Sequence, residues 1–96
     1  MTIRVGPYTF EDVDYDADSD ILYVRTGESV TVIGDETTEG HVLCYAETGP
    51  DRLVGIDFFN PRRTLSREGE VTVTLPRGER VAAEGIERAL RAPQPR

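Results

Sequence analysis

Asp14, Asp16, Asp18 and Asp20 fall on alternate positions of DYDADSDILYVR, and Glu11 and Asp12 stand just before them. Carboxylates at this density are hard oxygen donors, the ligand type of Ca²⁺ and Mg²⁺. An EF-hand loop takes ligands at positions 1, 3 and 5, a glycine at 6 and a glutamate at 12. Counted from Asp14, the last two positions hold Ser19 and Arg25. From Asp12 they hold Ala17 and Tyr23, and from Asp16 they hold Ile21 and Gly27. Every register lacks both the turn glycine and the closing carboxylate, which excludes an EF-hand. A looser divalent-ion site drawn from Asp14, Asp16, Asp18 and Asp20 stays open, and with it a small metal-dependent enzyme using Asp16 and Asp20. Glycosidase-type acid and base work by two of these groups would need a pocket of set width, and the sequence advertises none. The competing expectation is structural: aspartates accept hydrogen bonds from turn amides and so gather at turns.

The remaining chemistry-bearing residues are few. Cys44 and His41 are the single cysteine and the single histidine. Three residues apart on one strand, they face opposite sides and make no nucleophile–base pair. Cys44 shares its strand face with Val42 and Ala46 and reads as a small core residue, whereas His41, after Gly40, reads as exposed. No zinc set of ordinary spacing exists, and neither glycine-rich phosphate signature occurs. No cofactor is expected, and no catalytic residue. Arg62, Arg63 and Arg67 form the densest basic patch. Phe58 and Phe59 point to opposite sides of their strand, so a sheet covered on one side leaves one of them over.

Charge narrows the partners. The chain of 96 residues carries a net charge of −7, which opposes non-specific contact with nucleic acid or anionic lipid. Residues 1–60 hold 13 acids against 3 arginines, a net of −10, and residues 61–96 hold 5 acids against 8 arginines, a net of +3. Such asymmetry suits self-association or a charged partner, the plainer expectation being a helix with a solvated Arg/Glu surface. The basic patch itself can pair with the acidic stretch of the same chain or of a second copy. There is no lysine, and one cysteine excludes an internal disulfide and fits a reducing compartment. MTIRVGPYTF lacks an apolar run of signal length and no stretch approaches a membrane span. A cytoplasmic protein with no membrane contact is the expectation.

The elements that must position these residues are mostly strands. Ten valines, five isoleucines and four tyrosines supply a β-leaning core. Short β-forming runs recur at 8–15, 21–25, 29–34, 41–46, 52–59 and 70–75, each bounded by turn residues. The first has an irregularity where apolar parity changes between Phe10 and Val13. ETGPD joins the fourth and fifth runs as a hairpin loop. Asn60-Pro61 ends the fifth strand. After PRG at 76–78 the period changes: Ala82, Ile86, Ala89 and Leu90 make a helical stripe, predicting a helix over about 79–91 and a frayed tail over 93–96. The fold class is α+β, a single domain over 1–92, with an antiparallel, mostly meandering sheet of five or six short strands and one C-terminal helix.

YDADSDILYVR at 15–25 and GHVLCYAETGPDRLVGIDFF at 40–59 resemble the Domain of Unknown Function 2283 family. The family pattern is Tyr-Asp, a short acidic turn, Asp-x-Leu-Tyr, and a later hairpin ending in Val-Gly-Ile-Glu. Tyr15, Asp16, Asp20, Leu22, Tyr23, Gly40, Val54, Gly55 and Ile56 match it, and Asp57 stands where glutamate is common. The resemblance covers residues 12–60 and implies a small β-rich bacterial or archaeal domain without an assigned activity. The expected function is a non-enzymatic interaction module that forms a homodimer, with Phe58, Phe59, Arg62, Arg63 and Arg67 as candidate surface residues. The alternatives are an antitoxin-like acidic partner of a basic protein and the metal-dependent enzyme.

Overall fold

The computed structural model describes residues 1–91, the side chains of residues 50 and 51 excepted; the tail expected at 93–96 lies outside the described residues. Among the described residues, nine strands form three antiparallel sheets. The principal sheet holds β3 (Asp12–Asp16), β4 (Ile21–Arg25), β5 (Val32–Glu36), β6 (Val42–Ala46) and β7 (Gly49–Phe59), in the spatial order β3-β4-β7-β6-β5. β5, β6 and β7 run as a meander, β3 and β4 as a hairpin. β1 (Ile3–Val5) pairs β2 (Tyr8–Phe10), and β8 (Thr72–Thr74) pairs β9 (Arg80–Ala82). α1 (Pro61–Glu68) follows β7, and α2 (Ile86–Arg91) is the C-terminal helix of an α+β fold.

Alternation decides which face of the sheet is covered. Val13 and Tyr15 on β3 stand opposite Val24 and Leu22 on β4, and these stand opposite Ile56 and Phe58 on β7. Leu43 on β6 joins them through Ile56. The two small hairpins and α2 close this face with Ile3, Val5, Phe10, Val71, Val73, Leu75, Ile86, Ala89 and Leu90, all buried in one cluster. Burying a side chain such as Phe10, Phe58 or Leu22 in full contributes about 1.5–3 kcal/mol.

Four sequence expectations shift. The hairpin loop expected at ETGPD is confined to residues 47–48, since β7 begins at Gly49. The irregularity after Phe10 is a break at Glu11 that separates β2 from β3. The strand expected at 29–34 lies at Val32–Glu36, because the register with β6 pairs Glu36 with Val42. The helix expected over 79–91 begins only at Ile86. Gly85 has φ +97, and a Cβ there would stand 2.6 Å from the Thr2 carbonyl oxygen, so no helix passes through it. Upstream, Arg80–Ala82 pairs with β8 instead, and Glu84 exchanges backbone hydrogen bonds with Arg4. Ile86, Ala89 and Leu90 of the expected stripe are buried, while Ala82 is exposed. α1 is an addition. Asn60-Pro61 ends β7 as expected and also starts a helix, with proline at its first position, where a missing N–H costs nothing.

Candidate functional site

The acidic stretch and the basic patch meet at the turn between β3 and β4. Asp16 pairs with Ile21, so the turn comprises residues 17–20. Asp16 accepts the Asp18 N–H through Oδ1 at 3.1 Å, a turn-amide bond of the kind aspartate makes. Asp20 adopts a left-handed conformation, φ 55, which aspartate tolerates. There its carbonyl accepts the Asn60 N–H at 2.8 Å, which carries the β4–β7 pairing one step past Ile21 and Phe59.

That placement aims the Asp20 carboxylate at the start of α1. The Arg62 N–H donates to Oδ1 at 3.1 Å and the Arg63 N–H to Oδ2 at 3.3 Å. Helices begin with N–H groups that lack intrahelical partners, and here each is accounted for. Pro61 has none, Arg62 and Arg63 use Asp20, and Thr64 donates to the Asn60 carbonyl at 3.0 Å. Asn60 makes no side-chain cap of its own; the capping group arrives from another hairpin. A negative charge at this end also suits the helix dipole.

The same carboxylate accepts the Tyr15 hydroxyl at 2.8 Å. Tyr15 in turn accepts Arg62 Nε at 3.0 Å, and the Arg62 guanidinium lies 5.4 Å from the Tyr15 ring centroid. Burial raises the Tyr15 pKa; Arg62 pulls it down, Asp20 pushes it up, and the net shift is upward. The phenol is therefore neutral, able to donate to Asp20 while accepting from Arg62. Arg62 also donates to the Leu90 carbonyl at 3.3 Å, at the end of α2. One arginine thus holds the β3–β4 hairpin, α1 and α2.

The other predicted site residues disperse. Asp14 and Asp18 are exposed, with Asp14 opposite Tyr23 on the uncovered sheet face. Among the described residues, no three of His, Cys, Asp or Glu converge as a metal-holding group. Phe58 is fully buried in the core, whereas Phe59 is 37% exposed on the opposite face, the leftover phenylalanine. Arg63 and Arg67 are exposed on α1, Arg67 in its last turn. Cys44 is 2% exposed, as expected of a core residue, and burial raises its thiol pKa ahead of the nearby Asp57 charge.

His41 corrects the expectation of exposure: it is 3% exposed. Its Nδ1 accepts the Phe59 N–H at 3.1 Å, and its ring lies edge-on to Phe58 with centroids 5.1 Å apart. Burial lowers its pKa by more than the Glu39 charge and a backbone bond with Thr72 raise it. Glu39, Thr64, Glu68, Thr72 and Arg80 line a cleft of about 170 Å³ beside it. Glu39 is itself tied down, accepting the Thr74 N–H at 2.9 Å and the Thr74 hydroxyl at 2.7 Å. Burial alone would raise the Glu39 carboxyl, but these bonds hold it below its ordinary value. Sequence reasoning missed this cluster because Gly40-His41 looks like a solvated strand start. The one available signal is the position of His41 two residues before Leu43, on the core side.

No helix among the described residues is long and apolar enough to cross a membrane. Compared with protein-family models, with curated proteins and with solved structures, the chain finds no match.

Two outcomes follow from this geometry. Asp20→Ala removes the α1 cap and the Tyr15 acceptor and is expected to cost about 1–3 kcal/mol, whereas Asp18→Ala changes stability by less than about 0.5 kcal/mol. Urea denaturation measures both; equal effects would contradict the capping role. Neutral buried His41 sets a pH dependence. Below its ordinary pKa of about 6.5 the unfolded chain takes up a proton that the folded chain resists. Stability is full above that pH and falls as pH drops towards the lower folded pKa. Denaturation midpoints at about pH 7.5 and 5.5 should therefore diverge more in the wild type than in His41→Gln; identical slopes would count against a neutral, buried His41.

Proposed function

We propose that this protein is a non-enzymatic interaction module that associates with a second copy of itself. The observation that carries the reading is the placement of exposed apolar residues. Val30, Val32 and Ile33, each at least 37% exposed, cluster on and just before the edge strand β5, and Phe59, 37% exposed, stands apart on the sheet face that the hairpins and helices leave open. Large apolar groups gathered this way mark contact surfaces more often than scattered ones do. The chemistry-bearing residues support the same reading. Asp20, Tyr15 and Arg62 are engaged with one another and with backbone, and Cys44 is buried. The metal-dependent enzyme on Asp16 and Asp20 therefore has little to support it, since both Asp20 oxygens accept helix N–H groups.

A second reading has its own support. Asp12, Asp14 and Asp16 stand exposed along one face of β3, a row of like charge that suits a basic protein partner of the antitoxin type. Affiliation with the Domain of Unknown Function 2283 family, in a bacterial or archaeal cytoplasm, also remains a proposal. It is supported by the roles of the matching positions: Tyr15 and Asp20 build the junction, and Leu22 and Ile56 build the core.

Sedimentation at concentrations well above micromolar separates the two readings. Self-association predicts a species of twice the chain mass. A monomer at those concentrations would contradict it and leave the basic-partner reading standing.

A further inference from the structure

Given the self-association proposed above, the two edges of the principal sheet differ in what they offer a second copy. The principal sheet ends in β3 on one side and β5 on the other. β3 is guarded by Asp12, Asp14 and Asp16, and charges of this kind keep an edge from pairing. β5 is different. All five of its residues are exposed, and Val30, Val32 and Ile33 are 37%, 37% and 55% exposed. Only the last two residues of the strand, Asp35 and Glu36, carry charge.

The backbone of β5 is open in a defined way. Its inner ladder to β6 begins with the Glu47 N–H donating to Thr31 at 2.9 Å and ends with the Thr37 N–H donating to His41 at 2.7 Å. Hydrogen-bonded pairs alternate in an antiparallel ladder. Residues 31, 33, 35 and 37 therefore turn their backbone groups towards β6. Val32, Gly34 and Glu36 turn theirs outward, where a further strand would find three donors and three acceptors.

We propose that β5 pairs antiparallel with β5 of a second copy, about a two-fold axis at Ile33, to make one continuous ten-stranded sheet. The strand is its own complement in this register. Ile33 meets Ile33 of the second copy, Val32 meets Gly34, Thr31 meets Asp35 and Val30 meets Glu36, so no like charges face each other. The two neighbouring registers are worse. An axis at Gly34 sets Ile33 against Asp35 and Val32 against Glu36. An axis at Val32 sets Glu28 against Glu36, a like-charge pair that destabilises. Gly34 adds a fit: a Cβ there would stand 2.8 Å from Val42 Cγ1, so Val42 already covers that position. Val32 of the second copy, arriving opposite Gly34, packs on Val42. Main-chain bonds supply the affinity and these side chains the register, as in other strand additions.

The axis makes the test direct. Facing residues at a non-hydrogen-bonded position have Cα atoms about 4.5 Å apart, inside the disulfide range of about 4.4–6.8 Å. Under mild oxidation Ile33→Cys should cross-link into a dimer within the association range of the wild type. Asp35→Cys, four residues out of register with itself, should not, and neither should the wild type, whose one thiol is the buried Cys44. Ile33→Arg should sediment as a monomer with an unchanged unfolding midpoint for the isolated chain. A wild type that dimerises while Ile33→Cys stays uncross-linked and Ile33→Arg stays dimeric would overturn the β5 pairing and leave self-association intact. A monomeric wild type would overturn both.

Discussion

The carboxylate of Asp20 is the group on which the rest of the structure depends. It satisfies the open N–H groups of α1, receives the Tyr15 hydroxyl and, through Tyr15, orients Arg62. Arg62 then reaches the last turn of α2. Each link alone is an ordinary hydrogen bond of about 0.5–1.5 kcal/mol, or somewhat more where a charge takes part. Their value is that they meet. The hairpin of β3 and β4, the exit from β7 and both helices are fixed relative to one another by three side chains. A turn this acidic has the look of a cation site, yet its best-placed carboxylate is spent on helix amides.

Both small hairpins and α2 pack their apolar residues on one face of the sheet. The other face carries Ile21, Tyr23 and Phe59 beside the Arg25–Asp57 ion pair, 2.8 Å long and partly buried. At the far end β5 has no neighbour beyond it among the described residues. Its Ile33 lies on the same side as Tyr45 and Leu43 but beyond the reach of the covering hairpins, and so remains 55% exposed. Self-association is thus a proposal about an edge that the fold itself leaves unfinished.

Much of this was legible in the residues. Alternation marked the strands because each has one face in the core: Val71, Val73 and Leu75 are all buried, as their spacing requires. The turn-amide role of the aspartates was legible from residue type, and Asp16 shows it. What stayed hidden depends on contacts between segments distant in sequence. Asp20 lies 42 residues from Arg62, and only the β4–β7 register brings them together. The short α1 has only two apolar residues, Pro61 and Leu65, too few to announce a helix, with Pro61 alone fully buried. The early start expected for the C-terminal helix failed at Gly85, where a positive φ and the Thr2 carbonyl override the stripe. His41 beside a glycine looks like a solvated strand start; only its alternation with Leu43 points to the core side, and what covers it comes from distant segments.

Amide hydrogen exchange at Arg62 and Arg63 reports on the Asp20 cap itself. The second and third residues of a short, exposed helix normally exchange at rates close to those of an unfolded chain, since their N–H groups lack partners. Capping by Asp20 predicts that both are protected, to a degree similar to the Asn60 amide that bonds the Asp20 carbonyl. Unprotected exchange at Arg62 and Arg63 alongside a protected Asn60 would show the carboxylate turned elsewhere and would contradict the account.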